Sequence, residues 1–194
     1  NIERNLYLTL QLIEMGKPMV LALNMMDELL GNHGSVDITK LSERLGIPVV
    51  PISAAKNDGV EELMRVVAET AENARLPRRI DFCSSGPVHR CIHTVSHVVE
   101  DHADKIGVPS RFAATRVIED DADIISSLKL SENELELIGH AVLEMETEGG
   151  LDRNAALADM RYRFIEAVCS ESVVKAHESR EMRRSVKIDK VLTN

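Results

Sequence analysis

The chain has 194 residues, enough for one large domain or two small ones, and its 44% hydrophobic and 28% charged content is ordinary for a globular protein. A net charge of -9 argues against nucleic acid as a partner of the whole chain, and no apolar run approaches the roughly 20 residues of a membrane helix. Cys83, Cys91 and Cys169 form neither a Cys-x-x-Cys pair nor an even-numbered framework, which points to reduced structural thiols, and no signal peptide is visible. With 3% aromatics and no Trp, the core must be built from Leu, Ile, Val, Met and Ala, a palette suited to helix packing.

The chain begins with Asn1 rather than Met, and a helical pattern starts at once, so it reads as a piece of a longer protein. Ile2, Leu6, Leu10 and Ile13 recur at helical spacing, with Leu8 and Leu12 expected to widen the face; Gly16 and Pro18 stop the helix. Residues 19 to 24 form a short apolar run that reads as a strand buried on both faces. The turn Gly31-Asn32-His33-Gly34 follows. Asp37 is placed to cap a helix over Ile38 to Leu45 that Gly46 ends, and residues 47 to 52 give a second strand. Val60, Leu63, Met64, Val67 and Ala71 define the face of a helix running to about Arg75.

From Leu76 to Pro87 the pattern breaks, with Pro77, Ser84-Ser85-Gly86 and Pro87, and reads as a linker. Everything beyond it reads as helix: Val88 to Ile106, Ser110 to Glu119, a short turn at Asp123 to Leu128, a helix opened by the capping box Ser131-Glu132-Asn133-Glu134, and a long helix from Leu151 or Asp152 to about Ala176. Arg180, Arg183, Arg184, Lys187 and Lys190 make the tail the one basic segment, either a solvated end or a stretch held beside a membrane's cytoplasmic face. The expected organisation is α/β followed by all-α: residues 1–76, a linker at 77–87, a helical bundle at 88–179, and a basic tail at 180–194.

The chemistry concentrates after the two strands. Asn24 and Asp27 sit just past the first, at the edge where open α/β sheets bind ligands. A carboxylate accepts only, and guanine presents two adjacent donors, its ring N–H and its exocyclic amine, which adenine lacks on that edge. An Asn amide can bond a base and tie neighbouring loops together. The tetrapeptide alone is also a common strand-end turn. After the second strand, Ser53-Ala54-Ala55 offers small residues whose backbone N–H groups can approach a ligand. Two such motifs in this order favour a guanine-reading pair of loops.

Asn1 to Leu12, Val20 to Asp27, Leu41 to Ala54, Ala158 to Ile165 and Lys187 to Asn194 together closely resemble the cytosolic part of the ferrous iron transport protein B (FeoB) family. Met25, where most small GTPases carry Lys, also looks like this family. The resemblance implies a partial P-loop GTPase-like α/β unit followed by a helical spacer resembling a dissociation inhibitor, at the cytoplasmic face of a cell membrane. It implies GTP or GDP as ligand, the protein's own transmembrane Fe2+ pore as partner and, as an option, a second copy of the chain. Asn24 and Asp27 would read the guanine, Ser53, Ala54 and Ala55 would complete the base pocket, and Met25 would cover a base face. Ala55 stands where relatives often carry Arg or Lys.

No Gly-x-x-x-x-Gly-Lys-[Ser/Thr] occurs in the chain, and no switch threonine or Asp-x-x-Gly precedes the guanine motif. Phosphate, Mg2+ and water positioning reside in those parts. The chain alone is therefore expected not to hydrolyse GTP, to bind GTP or GDP weakly or not at all, and to need Mg2+ only within a complete domain. Its α/β region, residues 1 to 75, is expected to be unstable or self-associating unless complemented. The other reading is a helical interaction module whose α/β remnant binds no nucleotide; a ribosome-assembly GTPase is disfavoured by the acidic charge and Met25. No metal ligand set is assigned. His89, His93 and His97 share a helix face, but without a further ligand they read as its polar side. No catalytic set stands out.

Overall fold

A computed structural model describes residues 2–31 and 34–174; the tail from 180 and the turn residues Asn32 and His33 lie outside the described residues. Two compact units emerge. Among the described residues, one joins residues 2–18 to 76–167; the other joins residues 19–75 to residues 168–174. The first helix therefore clusters with the later helices, although in sequence it adjoins the α/β segment.

The helical unit contains α1 (Ile2–Glu14), α5 (Pro87–Ile106), α6 (Ser110–Ile118), α7 (Ala122–Leu128), α8 (Glu132–Gly149) and most of α9 (Arg153–Ser172). Helix α1 buries Leu6, Leu10 and Ile13, while Leu8 and Leu12 stay 59% and 45% exposed. At about 100° per residue, each lies roughly 200° from the leucine two positions earlier, on the outer side. Helix α5 buries Cys91, Ile92, Val95, Val99 and Ala103; α6 supplies Ala113 and Ala114. Such small residues let helix axes approach closely. The sequence signals at the helix ends hold. Gly107 and Gly150 take left-handed conformations after α5 and α8, and Ser131 and Glu134 form the reciprocal capping box. The expected turn at 123–128 is the helix α7, because Asp121 accepts from the Asp123 and Ile124 backbone N–H groups and caps it.

A buried charge triad crosses this unit. Arg161 on α9 is fully buried and donates to Glu14 Oε2 at 3.0 Å and to Glu119 Oε1 at 2.7 Å. Burial pulls the Arg161 pKa down, but the Glu14 and Glu119 carboxylates outweigh it and hold the guanidinium protonated. Burial pushes the Glu14 carboxyl above its ordinary 4.5, and the Arg161 charge only partly offsets this. Repulsion from Glu119 adds only slightly to the effect of burial on Glu14.

The α/β unit contains β1 (Leu21–Leu23), α2 (Met26–Gly31), β2 (Ser35–Val36), α3 (Ile38–Leu45), β3 (Val49–Pro51), a single 3-10 turn at Ala54–Lys56 and α4 (Val60–Glu72). Strands β1 and β3 run parallel, with Leu21, Ala22 and Leu23 opposite Val49, Val50 and Pro51. Asp37 Oδ1 caps α3 by accepting from Lys40 N at 3.0 Å, and Gly46 ends it in a left-handed conformation. Strand β1 is not buried on both faces as its sequence suggests. Leu21 and Leu23 are half-buried and Ala22 is exposed, since β1 has β3 as its sole strand partner among the described residues. Helix α4 also departs from expectation. Val60, Leu63 and Val66 are half-buried, whereas Met64 and Val67 are 63% and 41% exposed and Ala71 is exposed.

The end of the long helix gives the remaining surprise. At Val173–Val174 it gives way to strand β4, which pairs antiparallel with β2, and Asp37 N donates to Ser172 O at 2.8 Å. An expected helix to Ala176 thus ends at Ser172, where backbone pairing with residues 35–36 replaces the next turn.

The triad yields a stability prediction. Arg161→Met, which strands two carboxylates in the interior, should lower urea-denaturation stability by about 3–5 kcal/mol. Glu14→Gln leaves the Arg161–Glu119 pair in place and should cost less than Arg161→Met at pH 7. Because the folded Glu14 pKa is raised, its favourable contribution is complete below its ordinary 4.5 and is lost as pH rises through the folded value. Wild type should therefore lose stability relative to Glu14→Gln as pH climbs from 4.5 to neutrality; parallel pH profiles would refute this.

Candidate functional site

All six residues singled out in the sequence lie in the α/β unit, on the two segments that leave the parallel strands at the same sheet edge, Asp27 in the first turn of α2. Parallel pairing in register brings this about: Leu23 and Pro51 are opposite partners, so Asn24 and the Ile52-Ser53 step leave side by side. The backbone continues the ladder past the strands, with Ile52 N donating to Leu23 O at 2.8 Å and Met26 N donating to Ile52 O at 3.3 Å.

Asn24 joins the loops. Its Oδ1 accepts from Met25 N at 2.8 Å and from Ala54 N at 3.1 Å, 30 residues away. The first bond supports Met25 in a left-handed conformation, φ 64°, which leaves its side chain 54% exposed beside the site. No hydrogen bond among the described residues uses Asn24 Nδ2.

The second loop is a closed turn. Ser53 and Asp58 exchange backbone bonds, Ser53 N to Asp58 O at 2.9 Å and Asp58 N to Ser53 O at 3.1 Å. Lys56 N also donates to Ser53 O, and Asn57 takes φ 55°. Gly59 ends the turn at φ +73°. A Cβ there would lie 2.4 Å from Pro51 O, so only glycine lets α4 start this close beneath β3. The consequence is a tight cradle with Ala54 and Ala55 exposed at its rim and Ser53 only 3% exposed within it.

Asp27, on the first turn of α2, faces this cradle. Lys56 Nζ lies 3.0 Å from its Oδ2. The Lys56 ammonium first, and the neighbouring Ser53 hydroxyl second, hold the Asp27 carboxyl below its ordinary 3.8. Ser53 Oγ itself makes no hydrogen bond of ordinary geometry, so its influence on Asp27 is that of a nearby hydroxyl dipole. Lys56 is the member of the site that the sequence reading passes over. Position 55, where a long cationic stem is expected, holds Ala, and the next residue supplies one. The signal was present in Ser53-Ala54-Ala55-Lys56, but only the 3-10 turn shows that Lys56 reaches Asp27. The arrangement thus gathers a carboxylate with two acceptor oxygens, an amide side chain and a backbone N–H at one exposed edge.

The three histidines do not converge. The ring centroids of His89 and His93 are 6.1 Å apart and those of His93 and His97 are 4.6 Å apart, edge to face. Among the described residues, the only group of three or more potential metal ligands within mutual reach contains His89 but neither of the others.

Comparison with known proteins bears on both units. The family profile for "Ferrous iron transport protein B" matches residues 1–67, and that for the "FeoB cytosolic helical domain" matches residues 85–174. The Fe(2+) transporter FeoB of Legionella pneumophila strain Paris is 31% identical over 195 residues, covering 99% of this chain and 24% of the relative. A fusion of Fe(2+) transport protein A with FeoB from Porphyromonas gingivalis is 29% identical over 203 residues, again spanning 24% of the relative. The chain therefore spans about a quarter of the length of these relatives. Among solved structures, a GDP-bound mutant of NFeoB from S. thermophilus matches with a TM-score of 0.80 at 33% identity, over 90% of this chain and 66% of that one. The mGMPPNP-bound NFeoB of S. thermophilus matches with a TM-score of 0.72 at 34% identity, over 87% of this chain and 62% of that one. With family profiles over residues 1–67 and 85–174 and the fold shared at this identity, the chain belongs to the FeoB family, as a partial G-domain-like α/β unit and the cytosolic helical domain.

Proposed function

We propose that this chain is part of the cytosolic region of a ferrous iron membrane transporter, where its α/β unit reads the base of a guanine nucleotide and its helical domain couples nucleotide state to Fe2+ uptake through the transporter's own membrane pore. The observation that carries the reading is the joining of the two loops by Asn24, in a chain 33% identical to a GDP-bound relative.

The donor set fits the ligand. Asp27 is ionised and already accepts a cationic N–H donor from Lys56 at 3.0 Å, the kind of contact that guanine's two N–H donors would replace. Asn24 Nδ2 offers donors to the base, Ala54 N–H lies where a carbonyl oxygen of the base could replace Asn24 Oδ1, and Ser53 lines the cradle. Met25 and the small residue Ala55 flank the plane of the base. Residues outside this chain would hold the phosphates and any Mg2+, since the 194 residues contain no phosphate-loop motif. On this reading the chain itself supplies no hydrolytic group. No described helix is long and apolar enough to cross a membrane.

The closed state of the cradle favours a second reading, a helical interaction module whose α/β part binds no nucleotide. The Ala54 amide and the Asp27 carboxylate are both satisfied internally. Titrating the purified chain with GDP, with ADP as control, separates the two. Saturable binding that prefers GDP supports the guanine pocket, and no binding of either supports the second reading for this chain taken alone.

A further test belongs in a complete parent protein. Asp27→Asn should weaken GDP relative to the xanthine nucleotide by about tenfold or more, because a hydrogen bond to a charged group contributes about 1.5–3 kcal/mol. An unchanged preference would remove Asp27 from the site. The depressed Asp27 pKa keeps the carboxylate ionised as pH falls toward its ordinary 3.8, so guanine preference should not change between pH 8 and pH 5. A preference that titrates within that window would assign the discrimination to another group.

A further inference from the structure

Just ahead of α5 the chain passes through Asp81, Phe82 and Cys83. Phe82 is 4% exposed, with its ring 4.9 Å from that of Phe164. Asp81 Oδ1 accepts from Cys83 N at 2.8 Å, which keeps the Asp81 carboxylate beside Cys83 while Phe82 packs away. Asp81 and Cys83 meet His89, on the first turn of α5. One carboxylate oxygen, the sulfur and one imidazole nitrogen all lie within 4.8 Å of one another.

Carboxylate, thiolate and imidazole are the three side-chain donors that borderline divalent cations take, and three protein ligands with an open fourth position is a common set for Zn2+. Bonds of about 2.0–2.3 Å place tetrahedral ligand atoms about 3.3–3.8 Å apart, so closing this set needs a contraction of at most about 1.5 Å. Side-chain rotation supplies that much at a partly exposed site. An independent feature points the same way. His89 Nδ1 is shielded from solvent yet has no hydrogen-bond partner, its nearest carboxylate oxygen being Asp81 Oδ2 at 3.9 Å. An enclosed ring nitrogen with nothing to bond is costly and calls for a ligand.

The set already attracts a cation. The Arg111 guanidinium donates to Asp81 Oδ1 at 2.8 Å and to Cys83 Sγ at 3.1 Å, and its Nε bonds Ile80 O at 2.9 Å. The plain account is that Arg111 satisfies these groups and nothing else binds. That account leaves His89 Nδ1 unexplained, because Arg111 does not reach it.

We propose that Asp81, Cys83 and His89 form a site for a borderline divalent cation of the Zn2+ and Fe2+ class, which on binding takes the place of the Arg111 guanidinium at Cys83 and pins the segment before α5 to that helix. Binding replaces the thiol proton, which leaves to solvent, and uses the neutral imidazole, so affinity rises with pH. The open fourth position goes to water.

Co2+ titration of the intact chain tests this, since cobalt reports its own ligands. The expected result is one Co2+ per chain with a thiolate-to-metal absorption band in the near ultraviolet that Zn2+ abolishes. Cys83→Ser should remove the band, and His89→Gln should weaken binding about tenfold or more. Cys91→Ser, at a buried position outside the set, should leave the band unchanged. Arg111→Gln should tighten binding by removing the competing charge. In the unaltered chain, Zn2+ should slow alkylation of Cys83, a readout that needs no variant. A chain that gives no thiolate band, a band that survives Cys83→Ser, or alkylation of Cys83 unaffected by Zn2+ would overturn the site.

Discussion

The helical unit depends on a single buried cation. Arg161 is fully enclosed and reaches Glu14, 147 positions earlier, and Glu119, 42 positions earlier, so one guanidinium ties three helices. Guanidinium suits this better than an ammonium because its planar fork addresses two carboxylates at fixed angles. The arrangement is not a source of large net stability. Desolvating three charged groups costs much of what their attraction returns, and burial holds the Glu14 carboxyl above its ordinary range. Its effect is to make packing specific. Any other docking of α1 would separate Glu14 from Arg161, which would keep only Glu119 as a partner. This explains why a helix that adjoins the α/β segment in sequence clusters with helices more than 70 residues later.

The α/β unit is organised by the register of two strands. A short parallel pair has little area of its own to bury, and β1 remains partly exposed. Pairing Leu23 with Pro51 nevertheless fixes which residues leave the sheet together. Asn24 then bridges the loops, Gly59 lets the second loop close tightly under β3, and Lys56 comes to rest on Asp27. Each step constrains the next, so the cradle follows from the sheet register rather than from any one motif residue.

Much of this could be read directly. Asp37, Gly46, Gly107 and the Ser131–Glu134 box act where their side chains and backbone freedom require, because caps are local chemistry. Asn24 and Asp27 were legible because an abrupt polar end to an apolar strand is also local. What could not be read was set by distance in the chain. The pairing of Val173–Val174 with Ser35–Val36 depends on backbone groups 137 to 139 positions apart, for which no side-chain pattern exists. The exposure of Met64, Val67 and Ala71 escapes a periodicity argument because two apolar stripes on α4 compete, and only packing selects Val60, Leu63 and Val66. The neighbour that touches Cys83 is likewise invisible in the sequence, since Arg111 lies 28 residues away along the chain and 3.1 Å away in space.

The closed cradle sharpens the proposed reading of the nucleotide site. A base entering it would exchange contacts rather than fill empty ones: its carbonyl oxygen for Asn24 Oδ1 at the Ala54 amide, and its N–H donors for Lys56 at Asp27. Both internal contacts are at the surface, where water screens an ion pair and competes for an amide, so neither holds the site strongly shut. Discrimination would arise in the exchange. Guanine returns two adjacent donors to the carboxylate that loses Lys56, whereas adenine has an acceptor nitrogen and a C–H at those two positions and leaves an ionised acceptor without that pair. The displaced Lys56 ammonium, on a flexible stem, can remain over the base or move to solvent. On the proposed reading, the cation missing from position 55 would be supplied from position 56, and base selectivity would rest on the chain's own residues even where the phosphates are held elsewhere.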